Sequence, residues 1–316
     1  MDNQNKLRIG TRSSKLALFQ TNQVAALLKQ AHPLLEIELV EITTSGDWRP
    51  EHGERPLSTI KGGKALFAKE IECAILEGHV DCGVHSMKDM ESFVPDGLCV
   101  DHVLARVDAR DALLSNHGNS LDDLPQGAVV GTVSTRRAAF LLNARPDLKI
   151  VPLRGNVPTR IEKLRSGQVD ATILAVAGLE RLGLQNEIQL ILDEAIMLPS
   201  AGQGIITIET RADDERTHEI CNSIHDHCTG LCVVAERAAL QYLDGSCQTP
   251  IGSHATLQGD VMHFNLAVAS IDGAVIEKEY ATANVKTIDQ ARKLGAGTAS
   301  LIKKRVPQKW LEKKTG

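Results

Sequence analysis

Short β-branched runs alternate along this chain with polar turns and with amphipathic stretches of helical period. Residues 7–10 (Leu-Arg-Ile-Gly) read as a strand. Thr11-Arg12-Ser13-Ser14 follows, with serines suited to cap a helix, and Ala17, Val24, Ala25 and Leu28 then share one helical face. Residues 128–132 predict a second strand, Ser134 a cap, and a helix with Arg136 and Arg137 in its first turn. Ile150-Val151-Pro152-Leu153 leads through Arg154-Gly155-Asn156-Val157-Pro158 into a helix from Thr159 onward, and residues 171–176 read as a buried strand. This alternation implies α/β layers with mostly parallel sheets.

The last third has a different rhythm. Residues 231–243 predict one helix. Residues 254–257, 261–268 and 274–280 predict strands, separated by Gln258-Gly259-Asp260 and Asp272-Gly273 turns that suit an antiparallel meander. A helix over 288–304 closes the pattern, so this part reads as a small α+β domain. In α/β sheets ligands bind beyond the carboxyl ends of the strands, where the arginine-bearing turns fall.

Composition narrows the choices. With 42% hydrophobic and 24% charged residues the chain has the balance of a soluble globular protein. Its apolar runs are too short to cross a bilayer, and the polar start, Met1-Asp2-Asn3-Gln4-Asn5-Lys6, lacks the apolar segment of an export signal. A cytoplasmic location is the expectation. A net charge of −5 and 3% aromatic residues argue against nucleic acid as a partner. The seven scattered cysteines are expected as reduced thiols.

Against that acidic background the local cations stand out. Arg12, Ser14, Lys64, Lys88, Ser134, Arg136, Arg137, Arg154, Arg160 and Arg181 sit beside Gly, Ser and Thr at turns that open helices. Arginine forks and helix N-termini both hold carboxylates or phosphates, whereas the bland reading is a set of solvated charges. A second constellation, Val84-His85-Ser86-Met87-Lys88-Asp89, presents an acid at a strand end, suited to stabilise a developing cation; a surface Lys–Asp pair is the ordinary alternative. A third is Cys247, in a tight turn between Gly245-Ser246 and Pro250, either an ordinary thiol or an attachment point. A fourth groups His218, Cys221, His225, His227, Cys228 and Cys232. Zinc-like spacing competes there with Cys228 and Cys232 simply sharing a buried helix face, and no metal is expected.

Taken in order, these pieces resemble the porphobilinogen deaminase family over nearly the whole chain. The matching stretches are Arg8-Ile9-Gly10-Thr11-Arg12, Gly62-Gly63-Lys64-Ala65-Leu66-Phe67, residues 84–89, Leu153-Arg154-Gly155-Asn156-Val157, residues 174–179, Gly202-Gln203-Gly204 and residues 245–252. The resemblance implies two lobes like those of periplasmic ligand-binding proteins, α/β with mixed sheets, plus a small C-terminal α+β domain. It divides the chain into lobe 1 (1–104 and 205–222), lobe 2 (105–198) and a cofactor-attachment domain (227–316). It implies a transferase that joins four porphobilinogen molecules head to tail with loss of ammonia, giving hydroxymethylbilane for tetrapyrrole (heme, porphyrin) biosynthesis. It also implies a dipyrromethane cofactor attached covalently through Cys247, with Asp89 as the catalytic carboxylate. Lys88, Ser134, Arg136, Arg137, Arg154 and Arg160 are then the expected cofactor-binding residues. Arg12, Ser14, Lys64, Phe67, Arg154, Arg181 and Gln203 are expected at the substrate and growing oligopyrrole, and the family favours a monomer.

Several positions depart from the family pattern. Met90-Glu91 follows Asp89 where Val-Pro is common, Val133 replaces a frequent serine, Pro158 replaces a glycine, and Ile60 occupies a usual lysine position, with Lys61 beside it. Residues 48–60 are a candidate lid. Two other readings are weighed: an anion-binding module of two lobes, and a cysteine-dependent transferase pairing Cys247 with a histidine such as His254. What is attached to Cys247 discriminates among them.

Overall fold

A computed structural model describes residues 5–45, 68–245 and 249–311. The chain opens with β1 (Lys6–Thr11), α1 (Lys15–Ala31), β2 (Glu36–Glu41), α2 (Lys69–Leu76), β3 (Cys82–Ser86) and β4 (Leu98–Val103). It continues with β5 (Asp111–Ser115), β6 (Val129–Gly131), α3 (Thr135–Ala144), β7 (Lys149–Val151), α4 (Val157–Arg165), β8 (Ala171–Ala175), α5 (Val176–Arg181) and β9 (Leu190–Ile191). Then follow β10 (Ile206–Arg211), α6 (Glu215–Asn222), α7 (His227–Tyr242), β11 (Ile251–Gln258), β12 (Val261–Ala269), β13 (Ile276–Asn284) and α8 (Ile288–Lys303).

Two compact units emerge. Of the described residues, the first comprises 5–45, 68–107 and 205–230, and the second 108–204, 231–245 and 249–311. The first holds a five-stranded sheet of order β2-β1-β3-β10-β4. Its core is built from the alternating inward residues of β1 (Leu7, Ile9) and β3 (Cys82, Val84), packed on Val24 and Leu28 of α1. Ser14 caps α1 by accepting from the Ala17 amide at 3.2 Å, as the sequence predicts.

The second unit holds a five-stranded sheet of order β7-β6-β8-β5-β9 and a three-stranded sheet of order β11-β12-β13. The meander is antiparallel in full register, from Ile251 opposite Val268 to Gln258 opposite Val261. It packs with α7 and α8 around Phe264, Leu266, Leu243 and Ile302. Thr287 and Gln290 form a reciprocal capping box at the start of α8. The two helices touch at Gly295, where an added Cβ would lie 2.0 Å from the Ala235 carbonyl oxygen.

The expectation of mostly parallel sheets needs correction. In the first unit β1 is parallel to β2 and β3, but β10 is antiparallel to both β3 and β4. In the second, β6 is parallel to β7 and β8, while β5 is antiparallel to β8 and β9. The pattern misleads because β10 follows a long excursion of the chain, so no short helical crossover constrains its direction. The sheets are thus mixed, as the family resemblance implies. Two smaller corrections concern helix starts. Helix α4 begins at Val157 rather than Thr159, because Asn156 accepts from the Thr159 amide and Pro158 suits the first turn. Val176 begins α5 rather than ending the strand.

Candidate active site

In the first unit the site grows from two strand ends. Strand β1 runs into Thr11, whose hydroxyl accepts from Thr21 Oγ1 at 2.7 Å, so the turn carrying Arg12 is tied to α1. Strand β3 runs into a single 3₁₀ turn, Met87-Lys88-Asp89. Met87 is buried, its amide donates to the Ile205 carbonyl at 3.0 Å, and the Met90 amide closes the turn onto the Met87 carbonyl. Gln20 of α1 donates to Ser86 Oγ at 2.8 Å, which ties α1 to the end of β3. The result is a solvent-open cleft whose walls include Arg12, Ser14, Gln20, His85, Ser86 and Asp89. Met90, one of the departures from the family pattern, packs into the same wall. Lys88 is half-buried in the turn beside Asp89.

In the second unit the predicted cations fall into two groups. Arg136 and Arg137 are buried in the first turn of α3 and converge on Asp111 at the start of β5. Arg136 donates to Asp111 Oδ2 at 2.6 Å and to the Leu198 carbonyl at 2.7 Å. Arg137 donates to Asp111 Oδ1 at 2.8 Å and to the Ile173 carbonyl at 2.8 Å. Burial pulls the Arg136 pKa down, Asp111 opposes that, and Arg137 adds to it. Gln203 joins the same acid, donating to Asp111 Oδ1 at 3.0 Å and to the Ala109 carbonyl at 2.6 Å. Ser134 caps α3 by accepting from the Arg137 amide at 3.3 Å.

The other group surrounds the turn before α4. Arg154 is buried there, its carbonyl accepts from Lys163 Nζ at 2.9 Å, and Arg160 Nε donates to the Gly155 carbonyl at 2.7 Å. Gly155 has a φ of +116°, a backbone state that only glycine adopts without strain. Arg181 donates to the Gly204 carbonyl at 2.9 Å, and its burial lowers the guanidinium pKa to about 10.

The structure therefore gathers Arg12, Ser14 and Asp89 in one cleft, Arg136, Arg137 and Gln203 around one acid, and Arg154 with Arg160 at one turn. Lys64, Phe67, Cys247 and the candidate lid 48–60 lie outside the described residues. His254 is buried, with Nδ1 3.0 Å from Glu194 Oε2. The fourth constellation comes apart: Cys228 is exposed and Cys232 buried, so they do not share a buried face. His218 Nδ1 meets His102 Nε2 at 2.8 Å, and Cys221 lies against Cys82. Among the described residues no group of three or more His, Cys, Asp or Glu is arranged to hold a metal ion.

Sequence reasoning missed Asp111, Glu72, Glu209 and Glu236. Glu236, fully buried on α7, accepts from the Gly202 amide and from the Ala255 amide, both at 2.7 Å. The only available signal was an acid within an otherwise apolar run, as in Asp111-Ala112-Leu113-Leu114 or Val233-Val234-Ala235-Glu236.

Two α/β units with cations and helix caps at their strand ends, and one carboxylate within a cleft, define an enzyme that handles anionic substrates. The comparisons make this specific. Residues 7–219 match the family model described as porphobilinogen deaminase, dipyromethane cofactor binding domain, and residues 230–304 match porphobilinogen deaminase, C-terminal domain. The chain is 46% identical over 304 residues to a porphobilinogen deaminase of Nitrobacter hamburgensis, covering 96% of this chain and 94% of that one. It is 48% identical over 278 residues to one from Brevibacillus brevis, covering 88% and 89%. Among solved structures it is similar to the periplasmic VFT2 domain of Bordetella pertussis BvgS, at 15% identity and a TM-score of 0.44, over 70% of this chain and 87% of that one. The chain belongs to the porphobilinogen deaminase family. It is a transferase of tetrapyrrole biosynthesis with a dipyrromethane cofactor. The donors present fit such a group: the Ser134-capped start of α3 and the guanidiniums of Arg154 and Arg160 at one turn suit acetate and propionate side chains, and Asp89 suits a pyrrole N–H.

Proposed function

We propose that the cleft of Arg12, Ser14 and Asp89 is where this chain condenses porphobilinogen, four molecules in turn, to give hydroxymethylbilane. The observation that carries this reading is the placement of one carboxylate and one guanidinium at neighbouring strand ends of the same cleft. Each condensation breaks a C–N bond as ammonia leaves and forms a C–C bond to the next ring, whose α-carbon loses its proton. Water closes the fourth cycle. Loss of ammonia leaves positive charge spread over a pyrrole nitrogen. In this reading Asp89 accepts the ring N–H, stabilises that charge, and takes the proton.

Arg12 and the start of α1 orient the acid side chains of the incoming ring, and Lys64 and Phe67 are assigned to the same substrate. In the second unit Ser134, Arg136, Arg137, Arg154 and Arg160, with Lys88 from the first, are assigned to the cofactor carboxylates, and Arg181 and Gln203 to the lengthening chain. When bound through Cys247, the dipyrromethane supplies the ring to which the first porphobilinogen is joined. The separate hydrophobic core of α7, α8 and the meander supports treating residues 227–316 as a cofactor-attachment domain beside lobe 1 (1–104, 205–222) and lobe 2 (105–198). A monomer in the cytoplasm completes the proposal; sedimentation and cell fractionation check it.

The deciding experiment combines intact mass and turnover. The purified protein should exceed its sequence mass by two linked pyrroles, mapped to the peptide containing Cys247. Asp89→Ala should keep that adduct and lose nearly all turnover. Near-normal turnover of Asp89→Ala, or an adduct retained covalently by Cys247→Ser, would overturn the assignment.

A further inference from the structure

The hairpin of β12 and β13 ends in a turn that the mechanism above does not use. Its own side chains preform it. Asp272 Oδ1 accepts from Ser270 Oγ at 2.5 Å and from the Ala274 amide at 3.1 Å, and Ser270 Oγ accepts from the Val275 amide at 3.1 Å. Gly273 stands at the tip with a φ of +72°. That tip rests on the backbone of α3. A Cβ added at Gly273 would lie 2.4 Å from the Ala139 carbonyl oxygen and 2.7 Å from Leu142 Cβ. Asn143, in the last turn of α3, donates through Nδ2 to the Gly273 carbonyl at 2.9 Å. Ala267 and Ala269 of β12 share one hydrophobic core with Phe140 and Leu141 of α3, so the contact is continuous with packed interior.

Both sides of this contact lead to the chemistry. Helix α3 opens on Ser134, Arg136 and Arg137, and Arg137 lies about 9 Å along the helix axis from Asn143. On the other side Ala269, next to the turn, donates its amide to the Pro250 carbonyl at 3.0 Å. Pro250 follows Cys247 by three positions in the chain. A second strut joins the same two places. Ser253 of β11 donates its amide to the Pro199 carbonyl at 2.8 Å. Beside it Gly252 has no room for a side chain, since a Cβ there would lie 2.8 Å from Leu198 Cβ. The Leu198 carbonyl in turn accepts from Arg136 at 2.7 Å. One hairpin and one peptide thus fix the strand that follows Cys247 relative to the helix that carries the two arginines.

We propose that Asn143 is a positioning residue for the condensation: with Gly273 it holds α3 in register with β11, and so sets Arg136 and Arg137 at a fixed reach from the group on Cys247. This rests on the reading that Cys247 carries the dipyrromethane and that these arginines hold its carboxylates. The first porphobilinogen joins that group, so a shift of α3 moves the reacting carbon out of line, and rates fall steeply with such misplacement. Gly273 is part of the device, because any side chain there would lift the turn off the helix.

The test has two readouts. The first is the rate of the first ring addition, followed by quenched intact mass after cofactor-loaded enzyme is mixed with an equimolar amount of porphobilinogen. Asn143→Ala should slow that step about threefold. Gly273→Ala should slow it about tenfold or more, because the turn must retreat by about 1 Å to clear the Ala139 carbonyl. The amplitude should stay that of the wild type, whereas a folding defect lowers the amplitude and leaves the rate. Asn143→Gln keeps the donor and should recover part of the rate. The second readout is a cycle of thermal midpoints with Cys247→Ser, in which the attachment point is gone. Asn143 is exposed, and the high helix propensity of alanine offsets the lost hydrogen bond. Asn143→Ala should therefore leave the midpoint of the Cys247→Ser protein unchanged and lower that of the loaded protein by about 2 °C. A first addition at the wild-type rate, a loss of amplitude alone, or equal midpoint changes in the two backgrounds overturns the proposal. If Gly273→Ala fails to fold, Asn143→Ala decides alone. Wild-type protein without the mass of two linked pyrroles removes the cofactor reading itself, whereas loaded wild type beside unaffected variants removes only the role of Asn143.

Discussion

Asp111→Ala is the perturbation that most directly probes how the second unit holds its arginines. The Asp111 carboxylate is fully buried and accepts from Arg136 at 2.6 Å, from Arg137 at 2.8 Å and from Gln203 at 3.0 Å. Both arginines are themselves more than nine-tenths buried. Taking the two guanidiniums out of water is expensive, and the shared carboxylate offsets that cost only while it is present. Alanine leaves two like charges side by side, without the carboxylate they share. Breaking a buried pair in this way costs about 3–5 kcal/mol, and a second uncompensated arginine puts this site at the upper end of that range.

The assay is urea unfolding followed by circular dichroism. With a slope of about 2 kcal/mol per molar urea, the midpoint should fall by roughly 2 M. Asp111→Asn keeps the volume and one acceptor oxygen but loses the charge, so it should fall by less. A midpoint lowered by under about 0.5 M in the alanine variant would refute the reasoning, because it would mean that the two arginines find other partners at no cost. The same variants carry a second readout. If Asp111 sets the arginines for the cofactor carboxylates, the fraction of protein bearing the dipyrrole in the intact mass should drop in parallel.

Three further expectations follow from packing and titration. Gly295→Ala would place a Cβ 2.0 Å from the Ala235 carbonyl oxygen and force α8 off α7; a loss of about 3 kcal/mol or more is expected in thermal unfolding, and an unchanged midpoint would contradict the contact. Glu236→Ala removes the acceptor of two buried amides, Gly202 and Ala255, and should cost about 3 kcal/mol in the same assay, with Glu236→Gln recovering part of it. Glu72 has a folded pKa raised from 4.5 to about 7, so its contribution to stability is present below pH 4.5 and lost as pH rises through 7. Glu72→Gln should therefore match the wild type near pH 4.5 and exceed it at about pH 8 by about 1–2 kcal/mol after screening of a half-buried group; equal unfolding curves at the higher pH would contradict the shift.

Much of the fold was legible because local and tertiary signals agree. Leu7 and Ile9 alternate in β1, Ser14 and Ser134 cap the helices they precede, and Thr287 with Gln290 forms its box within one helical turn. Strand direction was not legible. Nothing in Ile206-Thr207-Ile208-Glu209-Thr210 distinguishes a parallel β10 from an antiparallel one, since apolar and polar residues alternate identically either way. The direction depends on where the chain re-enters the sheet, which is a property of the whole excursion.

The site divides along the same line. Its cations announced themselves because they sit at turns beside small residues, where sequence context restricts the backbone. Their partners did not. Asp111 and Glu236 adjoin apolar runs and Glu209 lies in an alternating strand, and an acid there looks like a helix-face or strand-edge charge until the facing strand is known. Glu209 meets His85 only because β10 places it opposite Gly83, a residue far away in the sequence. The charge pattern along a chain shows where an anion can be held; which carboxylates compensate those cations, and which acids stay protonated, is decided by pairings between distant strands. Substituting the hidden acids, more than the visible arginines, is therefore the sharper test of how this site holds its charge.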